Sequence, residues 1–231
     1  MNVVYTQIVT AHDMLQSTIR IEELIAKMTR ENVQMAAITN SKLYGVLPFW
    51  HAMTKAGLKP VIGLTLRVQL STIQRQLVVY AKNDVGYQHL LKGYREGLCA
   101  MIPLSDESWQ LDVKDDLIAL KALWQEDCIA GIARPNGIAS HNEGFYEELC
   151  DNIALKIGAT HRSTFLERED VLAYEIAQAI DTGQKLADKA PLLAHEQHQF
   201  VPTASDMTTW FTDRSLWLTQ MHTFLSACHV T

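Results

Sequence analysis

Short apolar runs alternate along this chain with longer segments of helical period. Val3 to Thr10 is β-rich and partly alternating, which predicts a first strand. Ile21, Leu24, Ile25 and Met28 then fall at i, i+3, i+4 and i+7, one apolar helix face. Ser17 and Thr18 offer its N-cap, and Glu22 and Glu23 place acid in its first turn. Met35 to Ile38 is too brief for a helix and predicts a second strand, followed by the polar turn Thr39-Asn40-Ser41-Lys42. A helix over about Val46 to Ala56 carries Leu47, Trp50 and Met53 and stops at Gly57, and Val61 to Leu70 is a third strand. Strand, crossover helix, strand is the unit that builds a parallel sheet. In such units chemistry gathers at the C-terminal strand ends, here near Asn40-Ser41 and Thr65.

Gln76 to Ala81 predicts a fourth strand, a hairpin partner of the third across Ser71-Thr72. Asn83-Asp84 caps a helix that runs through Leu90 and Leu91 toward Gly97. Leu98 to Lys114 has no clear period and is expected to be irregular. Asp116 to Leu120 reads as a strand, Lys121 to Glu126 as a short helix, and Asp127 to Ala133 as a further strand. After the turn Pro135-Asn136-Gly137 come a helix over Glu143 to Ile153 and a strand over Ala154 to Thr160. A helix over Glu167 to Thr182 shows the face Leu172, Ile176, Ala179 and Ile180. Gln184 to Val201 reads as an extended loop. Two last helices follow, the first capped by Ser205 or Asp206, the second opened by Asp213 and carrying Leu216, Leu218, Met221, Phe224 and Leu225. This alternation predicts one α/β domain, a barrel or an open parallel sheet.

With 231 residues, 48% of them hydrophobic and 20% charged, the chain has the composition of an ordinary globule. Its formal charge of −6 argues against a dedicated nucleic-acid surface. Neither a dinucleotide fingerprint nor a P-loop is present. The four cysteines form no C-x-x-C pair, so they are expected to be buried reduced thiols and not a zinc site. Without a signal peptide or a long apolar run, the expected location is cytoplasmic, with no membrane partner.

Several stretches carry a family resemblance: Ile19–Leu24, Ala37–Thr39, Leu43–Gly45, Gly57–Gly63, Ala81–Leu91, and Glu169-Asp170 through Thr182-Gly183. Together they resemble the PHP (polymerase and histidinol phosphatase) domain, in particular the one that begins the DnaE-type alpha subunit of bacterial DNA polymerase III. The resemblance runs from about Val3 to near Cys228 and thins between Leu98 and Asn152. It implies a distorted seven-stranded β/α (TIM-like) barrel over residues 1–200. It also implies that 201–231 are helices leading toward a polymerase palm domain beyond this chain.

Active members of that family hold a metal cluster at the strand ends. Where they carry a His-x-His pair after the first strand, this chain has Gln7 and Val9; where they carry Asp-His, it has Asn40 and Ser41. The Gly-x-Glu after the third strand is Gly63-Leu64-Thr65, and the late Asp-x-His is Arg162-Ser163-Thr164. All seven placeable positions lack the acid or imidazole, which implies no catalytic residue and no metal or cofactor in this domain. Gln, Asn, Ser and Thr are weak neutral donors, Val donates nothing, and Arg162 repels a cation. Magnesium is expected only in the missing palm. The implied function is structural, in DNA replication, within a DNA-directed polymerase (a nucleotidyltransferase). Implied partners are the remaining polymerase domains, a proofreading or other replisome subunit, and DNA through the whole enzyme. The alternatives are a metal-dependent phosphoesterase or 3′–5′ exonuclease with non-standard ligands, and a free-standing regulatory protein.

Bland readings outweigh sharp ones elsewhere. His12-Asp13 reads as a surface turn, His161 as a polar rim residue, and His195 and His198 as loop histidines rather than a zinc pair. His51 reads as a solvated helix face. The aromatic group Trp210, Phe211, Trp217 and Phe224 reads as packing rather than a base-stacking platform.

Overall fold

The computed structural model describes residues 3–70, 73–110, 112–186, 192–193 and 195–231. Its strands are β1 (Tyr5–Ile8), β2 (Met35–Ile38), β3 (Lys59–Leu70), β4 (Ile73–Ala81), β5 (Leu98–Pro103), β6 (Cys128–Ala133), β7 (Ile157–Thr160) and β8 (Arg162–Ser163). Among the described residues they form one sheet in the order β7-β6-β5-β4-β3-β2-β1-β8. Only His161 separates β7 from β8, so the two are halves of one interrupted strand that pairs β6 on one side and β1 on the other. The ring therefore closes as a distorted seven-stranded barrel. Pairing is parallel except at β3-β4, joined by a direct hairpin, and at β4-β5, which are antiparallel with a helix over Asp84–Lys92 between them. The expected hairpin is present, while its turn, Ser71-Thr72, lies outside the described residues.

The helices are α1 (Ile21–Arg30), α2 (Val46–Lys55), α3 (Asp84–Lys92), α4 (Val113–Trp124), α5 (Glu143–Asn152), α6 (Val171–Asp181), α7 (Ala204–Trp210) and α8 (Ser215–Ser226). One core lies between helices and strands, with α1 contributing Ile21, Leu24 and Met28. A second fills the barrel, where Val4, Met35, Val61, Tyr80, Cys99 and Met101 meet Met221, Leu225 and Cys228. These come from the end where the parallel strands begin, so α8 stoppers the floor and leaves the opposite mouth open. Gly158 allows this approach: a Cβ there would lie 2.7 Å from the Met221 terminal methyl and 2.9 Å from Ile129 Cδ1.

Several local expectations change. Leu98–Pro103 is a strand with all six residues buried; a strand covered on both faces shows no alternation, which hid it. Asp116–Leu120 is not a strand but the middle of α4. Its buried positions Val113, Asp116, Leu117, Leu120 and Trp124 have helical spacing once the window includes both ends. On α6 three of the four anticipated face residues, Leu172, Ile176 and Ile180, are exposed, while Ala179 is buried as expected, together with Tyr174. The ring of Tyr174 packs on Phe165 at 5.5 Å, and Gln178 donates to the Leu15 carbonyl, which fixes that rotation. On α2, Val46, Phe49 and Met53 face inward and Leu47 is exposed.

Caps differ as well. Helix α1 starts later than its Ser17/Thr18 signal, and Ser17 Oγ instead lies 2.6 and 2.7 Å from the Val9 and Thr164 carbonyls, which share its one proton. Thr203, not Ser205, caps α7, with Asp206 completing a capping box. Helix α3 keeps its Asn83 cap and ends at Gly93, short of Gly97.

Candidate functional site at the barrel mouth

An irregularity in β1 shapes the mouth. Tyr5 pairs with Ala36 and Ile8 with Ile38, so three steps on β1 oppose two on β2. Such a bulge re-aims the side chains within it. Thr6 and Gln7 both reach Thr160: the two threonine hydroxyls lie 2.7 Å apart, and Gln7 Nε2 donates to Thr160 Oγ1 at 2.9 Å. Gln7 is 3% exposed, and its Oε1 has no hydrogen-bond partner among the described residues. Beyond it opens a cavity of about 450 Å³ whose lining includes Arg67, Gln76, Arg162, Tyr174 and Gln199.

Of the seven positions taken from the family pattern, Gln7 and Arg162 face this cavity, side by side in the β1-β8 register. The other five turn to their own neighbours. Val9 lies in the core, its N–H donating to the Ser163 carbonyl at 3.0 Å. Asn40 accepts from the Thr10 N–H at 2.8 Å and donates to Thr10 Oγ1 and the Tyr44 carbonyl at 3.0 and 2.9 Å. Ser41 gives both its N–H and its hydroxyl to the Asp13 carboxylate at 2.6 and 2.8 Å. Thr65 Oγ1 donates to the Thr39 carbonyl at 2.7 Å, and Thr164 Oγ1 to Gln199 Oε1 at 3.1 Å.

Sequence reasoning missed Arg67 and Tyr174 at this mouth. Arg67 was detectable, because Val61, Gly63, Thr65 and Arg67 alternate along one face of β3. Tyr174 was hidden by the wrong rotation assigned to α6. Its phenol is pushed up by burial, with Arg162 opposing that shift.

The histidines divide. His161 lines the cavity at the rim as expected, but as a buried ring: it is 6% exposed, 5.5 Å from Trp210, and its Nε2 is 2.9 Å from the Phe200 carbonyl. That contact makes Nε2 the protonated nitrogen of a neutral imidazole. Burial pushes its pKa down to about 4. His195 lines the cavity from an exposed position, and His198 ends a 3-10 turn. His12 packs at Gly45, and exposed His51 packs edge-on to Trp50. Trp210, Phe211 and Trp217 are buried and Phe224 partly so; Arg134 stacks over Phe211 and Trp217 at 5.2 and 5.7 Å, an arginine distant in sequence. Among the described residues, no three His, Cys, Asp or Glu converge in a way that could hold a metal ion. Nor is any described helix long and apolar enough to cross a membrane.

Residues 7–164 match the family model of the PHP domain. Among curated proteins, the DNA polymerase III subunit alpha of Escherichia coli (strain K12) is 25% identical over 99% of this chain and 23% of its own length. The protein of the same name from Halalkalibacterium halodurans is 28% identical over 79% of this chain and 19% of its own length. The chain thus spans about a fifth to a quarter of the curated relatives it matches. Among solved structures, an amidohydrolase from Chromobacterium violaceum superposes with a TM-score of 0.50 at 9% identity, covering 70% of this chain and 87% of that one. That likeness concerns the fold alone.

Proposed function

The chain belongs to the PHP domain family, and from that premise we propose that it is a non-catalytic structural part of a bacterial DNA polymerase III alpha subunit. In this reading it serves DNA replication by holding neighbouring polymerase domains, or a proofreading or other replisome subunit, in place. Polymerase chemistry and its magnesium belong to other parts of that longer protein, and DNA is met through the whole enzyme.

One observation carries the non-catalytic reading: at the mouth, neutral side chains spend their polar atoms on the barrel itself. Asn40, Thr65 and Thr164 are each hydrogen-bonded to residues of the barrel or the chain beside it. Arg162 adds positive charge beside Gln7. A cluster of divalent cations needs several carboxylates and neutral imidazoles to replace its water and balance its charge. This donor set does not fit it. Asp106, Glu107, Glu196, His161 and His195 also line the cavity, but among the described residues no three such groups converge on a possible metal position, and the unpartnered Gln7 Oε1 is one neutral oxygen that cannot organise such a cluster.

Elemental analysis after zinc or manganese loading and desalting tests this directly. The expected content is far below one ion per chain, whereas more than one tightly held ion would rescue the phosphoesterase reading. Asn40→Asp is expected to restore no hydrolysis of p-nitrophenyl phosphate. Its carboxylate would face the Tyr44 carbonyl that the amide now serves, which costs about 1–3 kcal/mol of stability. Measurable hydrolysis by this single variant refutes the account of the site. A reading frame that ends at Thr231 would remove the polymerase context while leaving the family membership intact.

A further inference from the structure

Two thiols meet inside the barrel floor with no role in any of the above. Cys99 faces inward from β5, and Cys228 lies two residues past the end of α8. Their sulfurs are 3.7 Å apart although 129 residues separate them in sequence. We propose that Cys99 and Cys228 are a redox modification site, forming a reversible disulfide with hydrogen peroxide that fastens the C-terminal helix to the barrel.

The geometry favours the pair. A disulfide needs about 2.05 Å between sulfurs, so rotation of the two side chains with a small adjustment of the tail closes the gap. The tail is held in position around Cys228. Lys59 Nζ donates to the Ser226 carbonyl at 2.5 Å, the His229 N–H to the Lys82 carbonyl at 2.9 Å, and Trp50 Nε1 to the Val230 carbonyl at 3.3 Å. Thr231 closes the series through its N–H and hydroxyl on the Asp84 carboxylate. Both thiols are buried, and Cys99, though not Cys228, lines a cavity of about 350 Å³ together with Lys82 and Lys156, the side from which a small oxidant would approach.

Reactivity is divided between the two sulfurs. Cys228 is pulled below the ordinary thiol value, chiefly by the hydrogen bond from Cys99, with Lys59 and Lys82 adding to it. The Cys228 thiolate attacks peroxide: an S–O bond forms, the O–O bond breaks, and hydroxide leaves as water with the proton Cys228 released. Cys99 then attacks Cys228 Sγ: the S–S bond forms, the S–O bond breaks, and the hydroxyl leaves as water with the Cys99 proton. Each sulfur gives up one electron, and peroxide is reduced to two waters. Cys128 and Cys150, each pushed up to about 12 by burial, remain thiols and serve as internal controls.

The purified protein, treated with peroxide in the folded state, decides the matter. Titratable thiols should fall from four to two, a non-reducing digest should yield the peptide pair containing Cys99 and Cys228, and dithiothreitol should reverse both. The melting temperature should rise by roughly 5–10 °C, since the bond closes a long loop. In Cys99→Ser, Cys228 should stop at a sulfenic acid that dimedone traps. In Cys228→Ser, oxidation of Cys99 should slow by about tenfold or more. Peroxide that leaves all four thiols intact, or a linked peptide seen only after denaturation, overturns the proposal. Should a serine variant fail to fold, the peptide map of the unsubstituted protein still gives the answer.

Discussion

Replacing Arg75 with alanine is expected to destabilise the protein by about 3–5 kcal/mol, a melting temperature lower by roughly 8–15 °C. Arg75 leaves β4 where that strand runs past the barrel, and it is 1% exposed. Its Nε donates to Asp116 Oδ2 on α4 at 2.8 Å, and its two terminal nitrogens donate to the Ser108 and Asp112 carbonyls. The guanidinium also lies 5.0 Å over the Trp109 ring. One side chain therefore ties β4, the loop after β5 and α4 together.

Alanine removes all the guanidinium donors at once while the carboxylate of Asp116, 6% exposed, stays buried without its ion-pair arginine. The large effect comes from that desolvated charge more than from lost attraction. Adding Asp116→Asn to Arg75→Ala should recover part of the loss, because a neutral amide is cheaper to bury. Urea midpoints of parent, single and double variants measure this. A single-variant loss below about 1 kcal/mol, the range of surface ion pairs, would contradict the argument.

Acid should weaken the fold through His161, by roughly 3 kcal/mol between pH 7 and pH 4. Its pKa is 6.5 in an ordinary setting and about 4 in the folded protein, because burial excludes the imidazolium. The unfolded chain therefore binds a proton more readily than the native one within that window. Stability is flat above about pH 6.5, falls as pH drops toward 4, and levels again below that value. His161→Gln keeps a donor for the Phe200 carbonyl without a titrating ring, so the variant should lose most of this slope. His222, also held below its usual value by burial, acts in the same direction and remains in both proteins. Parallel losses in parent and variant across pH 7 to 4 would assign the acid sensitivity elsewhere.

How much of the barrel was legible follows from which strands alternate and which do not. β2 was identified at its observed bounds and β3 to within two residues, because short apolar runs beside turn residues have few other uses. β5 escaped notice since both of its faces are covered, and α4 was split because its apolar stripe includes the ion-paired Asp116. Gln7, Asn40, Thr65, Arg162 and Thr164 could be named beforehand only as positions in a family pattern, and of these Gln7 and Arg162 line the cavity. Where those side chains point was not legible. The bulge that aims Gln7 at Thr160, and the lone His161 that splits the last strand, arise from strands distant in sequence.

By itself, then, the sequence determined most of the alternation of elements and the family. These follow from local spacing and residue chemistry. Only the tertiary structure decided that Asn40 and Thr65 turn into the wall, that α6 shows most of its apolar stripe to solvent, and that Cys99 and Cys228 touch across 129 residues. The reason is physical: orientation and contact depend on which buried group satisfies which partner once the ring closes, and that competition is not written in any local stretch.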